Sequence, residues 1–326
     1  MRSVAYCVAL AGLLPLVAMA QAPENTDGPA GLQGAVPDGP PSLPLCGPMD
    51  LAADINNPAG DAAQRRQAFV ALVASGPKAS SFDKFQVGVH FRNGADHPAP
   101  LVNRDVGEAR QWLSHAAVAG EVYAMASVAE LELAEGNAMD AMIWAQAYAK
   151  YAAPANGRDG RDDRAYQADL LRRIFKELPE GKQTEERIQT LLDAFVDRYG
   201  EAIERHRERS SAQAADERYK TCRSAREDYP LRMEKAPREV VTNGTRAARG
   251  SIGFWRPGLA LFRVRVGQDG VVRDVLVIES LPGPATAKVL LPTVQAIRFN
   301  AIDPQGPIRD AIVPLSYSDG SVRLRD

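Results

Sequence analysis

The sequence predicts a multidomain protein of the α plus α+β class: a short α-helical solenoid followed by a small ββαβ domain. Two observations carry this expectation. From about Asp50 to Cys222 alanine is abundant, apolar residues recur at helical spacing, and an Ala-x-x-Trp signature returns. From about Tyr229 the apolar period shortens to two, and strand, Asp-Gly turn, strand, helix and strand follow in that order. A chain of 326 residues has room for two such domains, and 45% hydrophobic with 25% charged residues is ordinary globular material. Charge divides between them. From Tyr229 onward there are 14 basic and 9 acidic residues; residues 21–228 carry 24 and 32. This split fits two domains with different faces and is too small to imply nucleic acid as a partner.

The start of the chain predicts export. Met1-Arg2 is followed by an apolar run from Val4 to Val17 and by Ala18-Met19-Ala20, the charged start, apolar core and small-residue cleavage signature of a signal peptide over 1–20. Gln21 would then be the first mature residue and the periplasm the location. The alternative is an uncleaved inner-membrane anchor. Against it, Val4–Ala20 only reaches the lower limit of about 17 residues for a spanning helix, and Pro15 interrupts the run. Residues 21–48 are rich in Pro and Gly and poor in apolar side chains, which predicts a flexible linker. Cys7 falls within the signal, so Cys46 and Cys222 remain. In an oxidising compartment they are expected to form one disulfide across the helical region, the alternative being two thiols too far apart to meet.

Residues 49–222 form the expected helical domain. Helices are predicted over Gln64–Val73, Phe82–Phe91, Asp105–Ala119, Val122–Ala134 and Ala138–Ala152, with stops at Gly76-Pro77, Asn93-Gly94, Gly120, Gly136-Asn137 and Pro154. After the charged loop 157–163 come helices over about Arg164–Leu178 and Thr184–Tyr219, the second with Thr184 as N-cap. Ala109-x-x-Trp112 returns as Ala141-x-x-Trp144. Small residues such as Ala116, Ala117, Gly120 and Ala124 let helices approach, and one large aromatic per repeat fills the groove. This pattern over roughly 82–153 resembles the Sel-one-like relatives of the tetratricopeptide repeat, with an insertion over Ala95–Asn103. The resemblance implies a superhelical scaffold for protein partners. The packing positions it assigns are Ala109, Trp112, Ala117, Gly120, Ala141 and Trp144.

Residues 229–326 form the second domain. Leu261–Val266 reads as a half-buried strand with Arg263 and Arg265 outward, Asp269-Gly270 as a hairpin turn, and Val271–Ile278 as a strand bulged near Arg273-Asp274. Ala285–Phe299 reads as a helix that either kinks or restarts at Pro292. Ile308–Tyr317 reads as a third strand with Val313, Leu315 and Tyr317 on one face. Tyr229-Pro230, the Asp269-Gly270 hairpin, Ser280, Ala296-x-x-Phe299, Gly306-Pro307-Ile308 and Val313-Pro314-Leu315-x-Tyr317 together resemble the TonB C-terminal domain. Leu281, where that family favours glycine, and Pro292 depart from its pattern. The family captures an extended segment of an outer-membrane transporter by strand pairing. By resemblance, the third strand around Val313, Pro314, Leu315 and Tyr317 is the expected partner-binding edge, and Pro314, which lacks an N–H, suits an edge; the alternative is that these residues only build the sheet and the domain's own tail covers that edge.

Searching for chemistry yields no G-x-S-x-G, H-E-x-x-H, phosphate-binding glycine loop or C-x-x-C. His90, His97, His115 and His206 match no metal spacing. The expectation is therefore a non-catalytic protein, without cofactor, metal or small-molecule substrate, that binds protein partners in the cell envelope, an outer-membrane transporter segment among them. The alternative is a TonB-type energy transducer supporting transport across the outer membrane through a retained N-terminal anchor.

Overall fold

Asp61 sets the start of the first helix by accepting the Gln64 N–H on its side chain (2.8 Å), which satisfies one of the donors a helix start leaves open. The structure, a computed structural model, describes residues 54–152, 164–213, 231–235, 256–306, 308–318 and 321–324. Its helices are α1 (Ala62–Ser75), α2 (Ser81–Asn93), α3 (Val106–Val118), α4 (Val122–Ala134), α5 (Ala138–Ala152), α6 (Arg164–Glu177), α7 (Lys182–Gln213) and α8 (Pro284–Gln295). Ser80 caps α2 through the Asp83 N–H, and Asp105 caps α3 through the Glu108 N–H. Thr184 is not a cap. α7 begins two residues earlier, and the Thr184 N–H donates to the Gly181 carbonyl (3.0 Å).

Helices α2 and α3 pack against each other, as do α4 and α5, and α3 packs on α4, so two helical hairpins stack in chain order. Gly88 makes the first hairpin tight: a Cβ there would sit 2.7 Å from Leu113 Cγ. The repeat positions Ala109, Trp112, Ala117, Ala141 and Trp144 are buried, and Gly120 is half-buried in the turn between the hairpins. Trp112 bonds Glu108 through its indole N–H, and Trp144 meets Phe195 of α7 edge to face at 5.1 Å.

The strands are β1 (Met233–Lys235), β2 (Gly258–Val266), β3 (Val272–Leu281), β4 (Arg298–Phe299), β5 (Arg309–Ser318) and β6 (Ser321–Leu324). Four of them form an antiparallel sheet in the order β3-β2-β5-β6, and β1 pairs with β4 in a second, two-stranded one. The Asp269-Gly270 turn joins β2 to β3. Gly270 has φ +75°, and a Cβ there would lie 1.9 Å from the Phe299 carbonyl oxygen, so only glycine fits. The expected bulge is present, since Arg265 and Val266 face Asp274 and Val272 with Arg273 extra. A second shift lies between Leu261 and Phe262, where Ile278 is extra. Helix α8 runs through Pro292 as one helix and stops at Gln295, earlier than expected, because Arg298 and Phe299 are taken into β4.

Helix α8 covers one face of the sheet. Ala260, Phe262, Val264 and Val266 of β2 and Val313 and Leu315 of β5 join Leu290, Val294, Ile297 and Phe299 in one apolar core. The other face is not open to water as a half-buried strand would require. Leu259 and Leu261 are fully buried, Arg263 is only 8% exposed, and helices α2 and α6 lie against β3, β2 and β5. All described residues thus belong to one compact unit, in which the helices cover the second face of the sheet. The segments 1–20 and 21–48, Cys46, Cys222, the loop 157–163 and Tyr229-Pro230 lie outside the described residues. No described helix is long and apolar enough to cross a membrane.

Candidate functional site

The strand expected to capture a partner is β5, and its surroundings change that expectation. Leu315 and Tyr317 pair with Leu324 and Val322 of β6, so the tail of the chain occupies the outer side of that half. On the inner side Val313, Pro314, Leu315 and Tyr317 face Phe262, Leu261, Ala260 and Gly258 of β2. The expected edge is therefore closed at Leu315 and Tyr317, for the physical reason that an exposed strand edge is readily covered by neighbouring chain. No described strand lies beyond Ala311–Pro314. Val313 points into the core, while Ile312 is 41% exposed and Ile308, just before β5, is 38% exposed.

The densest polar chemistry lies elsewhere, in the seam between helices and sheet. Glu279, near the end of β3, is 1% exposed. Its Oε1 accepts from Arg92 of α2 (2.6 Å) and from the Ser280 N–H (2.7 Å), and its Oε2 accepts from Ser127 of α4 (2.8 Å). Arg263 of β2 reaches back to Asp54 (2.5 Å) with the ring of Phe82 below its guanidinium (6.0 Å). Asn56 beside Asp54 donates to Gln86 of α2 (2.7 Å). Arg65 of α1 donates to the carbonyls of Ala99 (2.8 Å) and Ile55 (3.3 Å).

The same rule holds inside the helical part. Glu130 accepts from Arg173 (2.5 Å) and from the Tyr166 hydroxyl (2.9 Å), Glu132 accepts from Arg110 (2.5 Å) and Asn137 (2.7 Å), and Asp169 pairs with Arg172 and Arg173. Every buried carboxylate of the described residues is thus met by an arginine: Asp54, Glu130, Glu132, Asp169 and Glu279. Burial raises the Tyr166 hydroxyl well above its ordinary range, and the Glu130 charge adds to this. Arg110 is raised by its hydrogen bond to Glu132 against the opposing effect of burial.

Two buried histidines depart from that rule. His90 of α2 is 1% exposed and His97 is 3% exposed, and their rings lie 4.0 Å apart. His97 accepts the Ala99 N–H on Nδ1 (3.0 Å), whereas neither nitrogen of His90 has a hydrogen-bond partner. Burial pushes His97 down to about 4, with the Glu279 charge opposing. Burial also pushes His90 well below its ordinary range, helped by His97 and Arg65.

Sequence reasoning missed Asp54, Arg92, Ser127 and Glu279, and it placed Arg263 in water. The available signal was Glu279 itself, the single charge in the run Val275–Leu281, directly after the apolar Val275–Ile278, where a lone charge implies a buried partner. Nothing local in the sequence says that the partner lies 187 positions away. Among the described residues no three His, Cys, Asp or Glu come together as a cation site. No protein-family model, curated protein or solved structure matches the chain.

Proposed function

We propose that this is a periplasmic adaptor that acts by binding proteins in the cell envelope rather than by catalysis, with a sheet domain of the TonB C-terminal type carried on Sel-one-like helical hairpins. The observation that carries the reading is the outer side of β5. Ala311–Pro314 has no described strand beyond it, and two of the large apolar side chains that the described residues expose, Ile308 and Ile312, stand at that stretch. An open backbone next to apolar side chains is the chemistry that accepts an extended peptide. The stretch is short and Pro314 offers no N–H, so the side chains supply much of the contact.

The test is photo-cross-linking in intact Gram-negative cells, with the photoreactive residue at Ile312 or, as control, at Lys182, an exposed position on α7. A discrete envelope adduct from Ile312 alone, on a chain whose intact mass begins at Gln21, is the expected result. No adduct at Ile312, or equal adducts at both positions, overturns the binding surface. A chain that still begins at Met1 or Arg2 and requires detergent overturns the periplasmic adaptor in favour of an anchored energy transducer.

A further inference from the structure

The His90–His97 pair occupies an aromatic slot. Phe69 of α1 packs against His90 edge to face (5.4 Å, 70°), and the His97 ring tilts against His90 at 4.0 Å. A phenyl ring at position 90 would lose no hydrogen bond, because neither imidazole nitrogen makes one. What an imidazole has there that a phenyl lacks is a nitrogen able to take a proton. Its polar atoms are otherwise a cost, since a buried unsatisfied polar group destabilises the fold.

The charged surroundings divide over that proton: His97 and Arg65 disfavour it on His90, while Glu279 favours it on His97. From α1, Arg65 brings a fixed cation to the Ala99 carbonyl, beside the Ala99 N–H that His97 accepts. From α2 comes Arg92, and from β3 comes Glu279, whose charge favours a proton on His97 but is already held by Arg92, Ser127 and the Ser280 N–H. Asp54, before α1, is taken by Arg263 of β2. On α3 the titratable His115 answers to Lys84 rather than to this pair. Helix α2, which carries His90, packs on β3, and its Arg92, two positions on, holds Glu279, so the pair sits at the seam that fastens the sheet to the helices, with His97 Nε2 buried there without a hydrogen-bond partner.

We propose that His90 and His97 form a proton-operated latch: neutral, they hold the sheet against the helices; protonated, they release it. The inference concerns this chain alone and stands whether or not β5 binds a partner. In the closed state both rings are kept neutral by burial. In an opened seam they meet water and regain an ordinary histidine pKa near 6.5. A group whose pKa is depressed in the closed state stabilises that state above its open-state value and loses the contribution as pH falls. The window therefore opens near pH 6.5 and runs down toward about 4, the closed-state value of His97. Two protons taken up on opening make the open-to-closed ratio rise by up to about 100-fold per pH unit in that window, and one proton by about tenfold. Release would uncover the face that carries Leu259, Leu261 and Leu276, a surface then available for other contacts.

The test is a distance measurement on the full chain, with spin labels coupled through unnatural residues at the exposed positions Arg66 on α1 and Lys288 on α8. Pulsed electron spin resonance is read from pH 7.5 to 4.5, with helical content followed by circular dichroism. A single short distance at pH 7.5, a second longer population growing more steeply than tenfold per pH unit below 6.5, and unchanged helical content are expected. In His90→Phe the growth falls to tenfold or less, and in the His90→Phe, His97→Phe double variant the seam stays closed to pH 4.5. A wild-type chain that keeps one distance to pH 4.5, or that loses helical content in step with the new distance, overturns the latch. So does a double variant that opens at the same pH as wild type. If the double variant does not fold, the pH slope of the wild type decides alone.

Discussion

On one face of the sheet Ala260, Phe262, Val264 and Val266 meet Leu290 and Val294 of the helix that follows β3, and Ile297 just after it; on the other, Leu259, Leu261 and Leu276 share the surface with Arg263 and Glu279. The first face is apolar throughout and its partners are close in sequence. The second is mixed, and its partners, Asp54, Arg92 and Ser127, come from the far end of the chain. Apolar burial without direction folds the small domain. Directional charge pairs then fix the one position in which that domain sits on the helices. Buried ion pairs gain little net stability over apolar groups of similar size, because both charges must leave water. Their use in the seam fits a role in placement, and the apolar face supplies the larger share of the energy.

The largest effect expected from breaking this comparison is on the apolar face. Phe262→Ala removes a fully buried ring from the core against α8 and should cost about 3–5 kcal/mol in urea unfolding. Arg92→Ala comes next. It leaves the Glu279 carboxylate in the seam with only Ser127 and the Ser280 N–H, and should cost about 3 kcal/mol. The double change Arg92→Met, Glu279→Met removes both charges and should return to within about 1–2 kcal/mol of wild type, as apolar replacements of buried pairs often do. A double variant as unstable as Arg92→Ala would mean that the pair supplies energy and not only placement. Ser127→Ala should cost less, about 1.5–2 kcal/mol, as one hydrogen bond to a charged acceptor is lost while Arg92 stays.

The two faces also differed in how far the sequence could be read. The apolar face was legible: period-two alternation in β2, the Asp269-Gly270 turn and the bulge at Arg273 all follow from neighbours a few residues apart. So were the helices, because α2 with α3, α3 with α4 and α4 with α5 pack as neighbours in the order of the chain. The mixed face was not legible. Arg263 alternates with apolar residues as a water-facing side chain would, and nothing in its neighbourhood distinguishes water from Asp54 at a separation of 209 positions. The sequence left open whether the domain's own tail covers β5, for a related reason: Ser321–Leu324 is too short to announce itself as a strand, and only pairing makes it one. The expected binding edge shrank to Ala311–Pro314 on that account.

The smallest effect sharpens the comparison from outside the seam. Lys182 and Glu186 at the start of α7 pair at 3.5 Å, with side chains 88% and 67% exposed. Their geometry is an i,i+4 pair on a helix surface, where water screens the attraction and both side chains lose freedom in meeting. Glu186→Gln should therefore cost no more than about 0.5 kcal/mol in the same urea assay, and less still in high salt. The Arg92–Glu279 pair differs from it in burial, in sequence separation and in the Ser127 and Ser280 bonds on its carboxylate, so the ratio of the two costs measures what that buried setting does to an ion pair in this fold. Should Glu186→Gln match Arg92→Ala, the seam would owe its sensitivity to charge alone, and the division between a folding face and a placing face would fail.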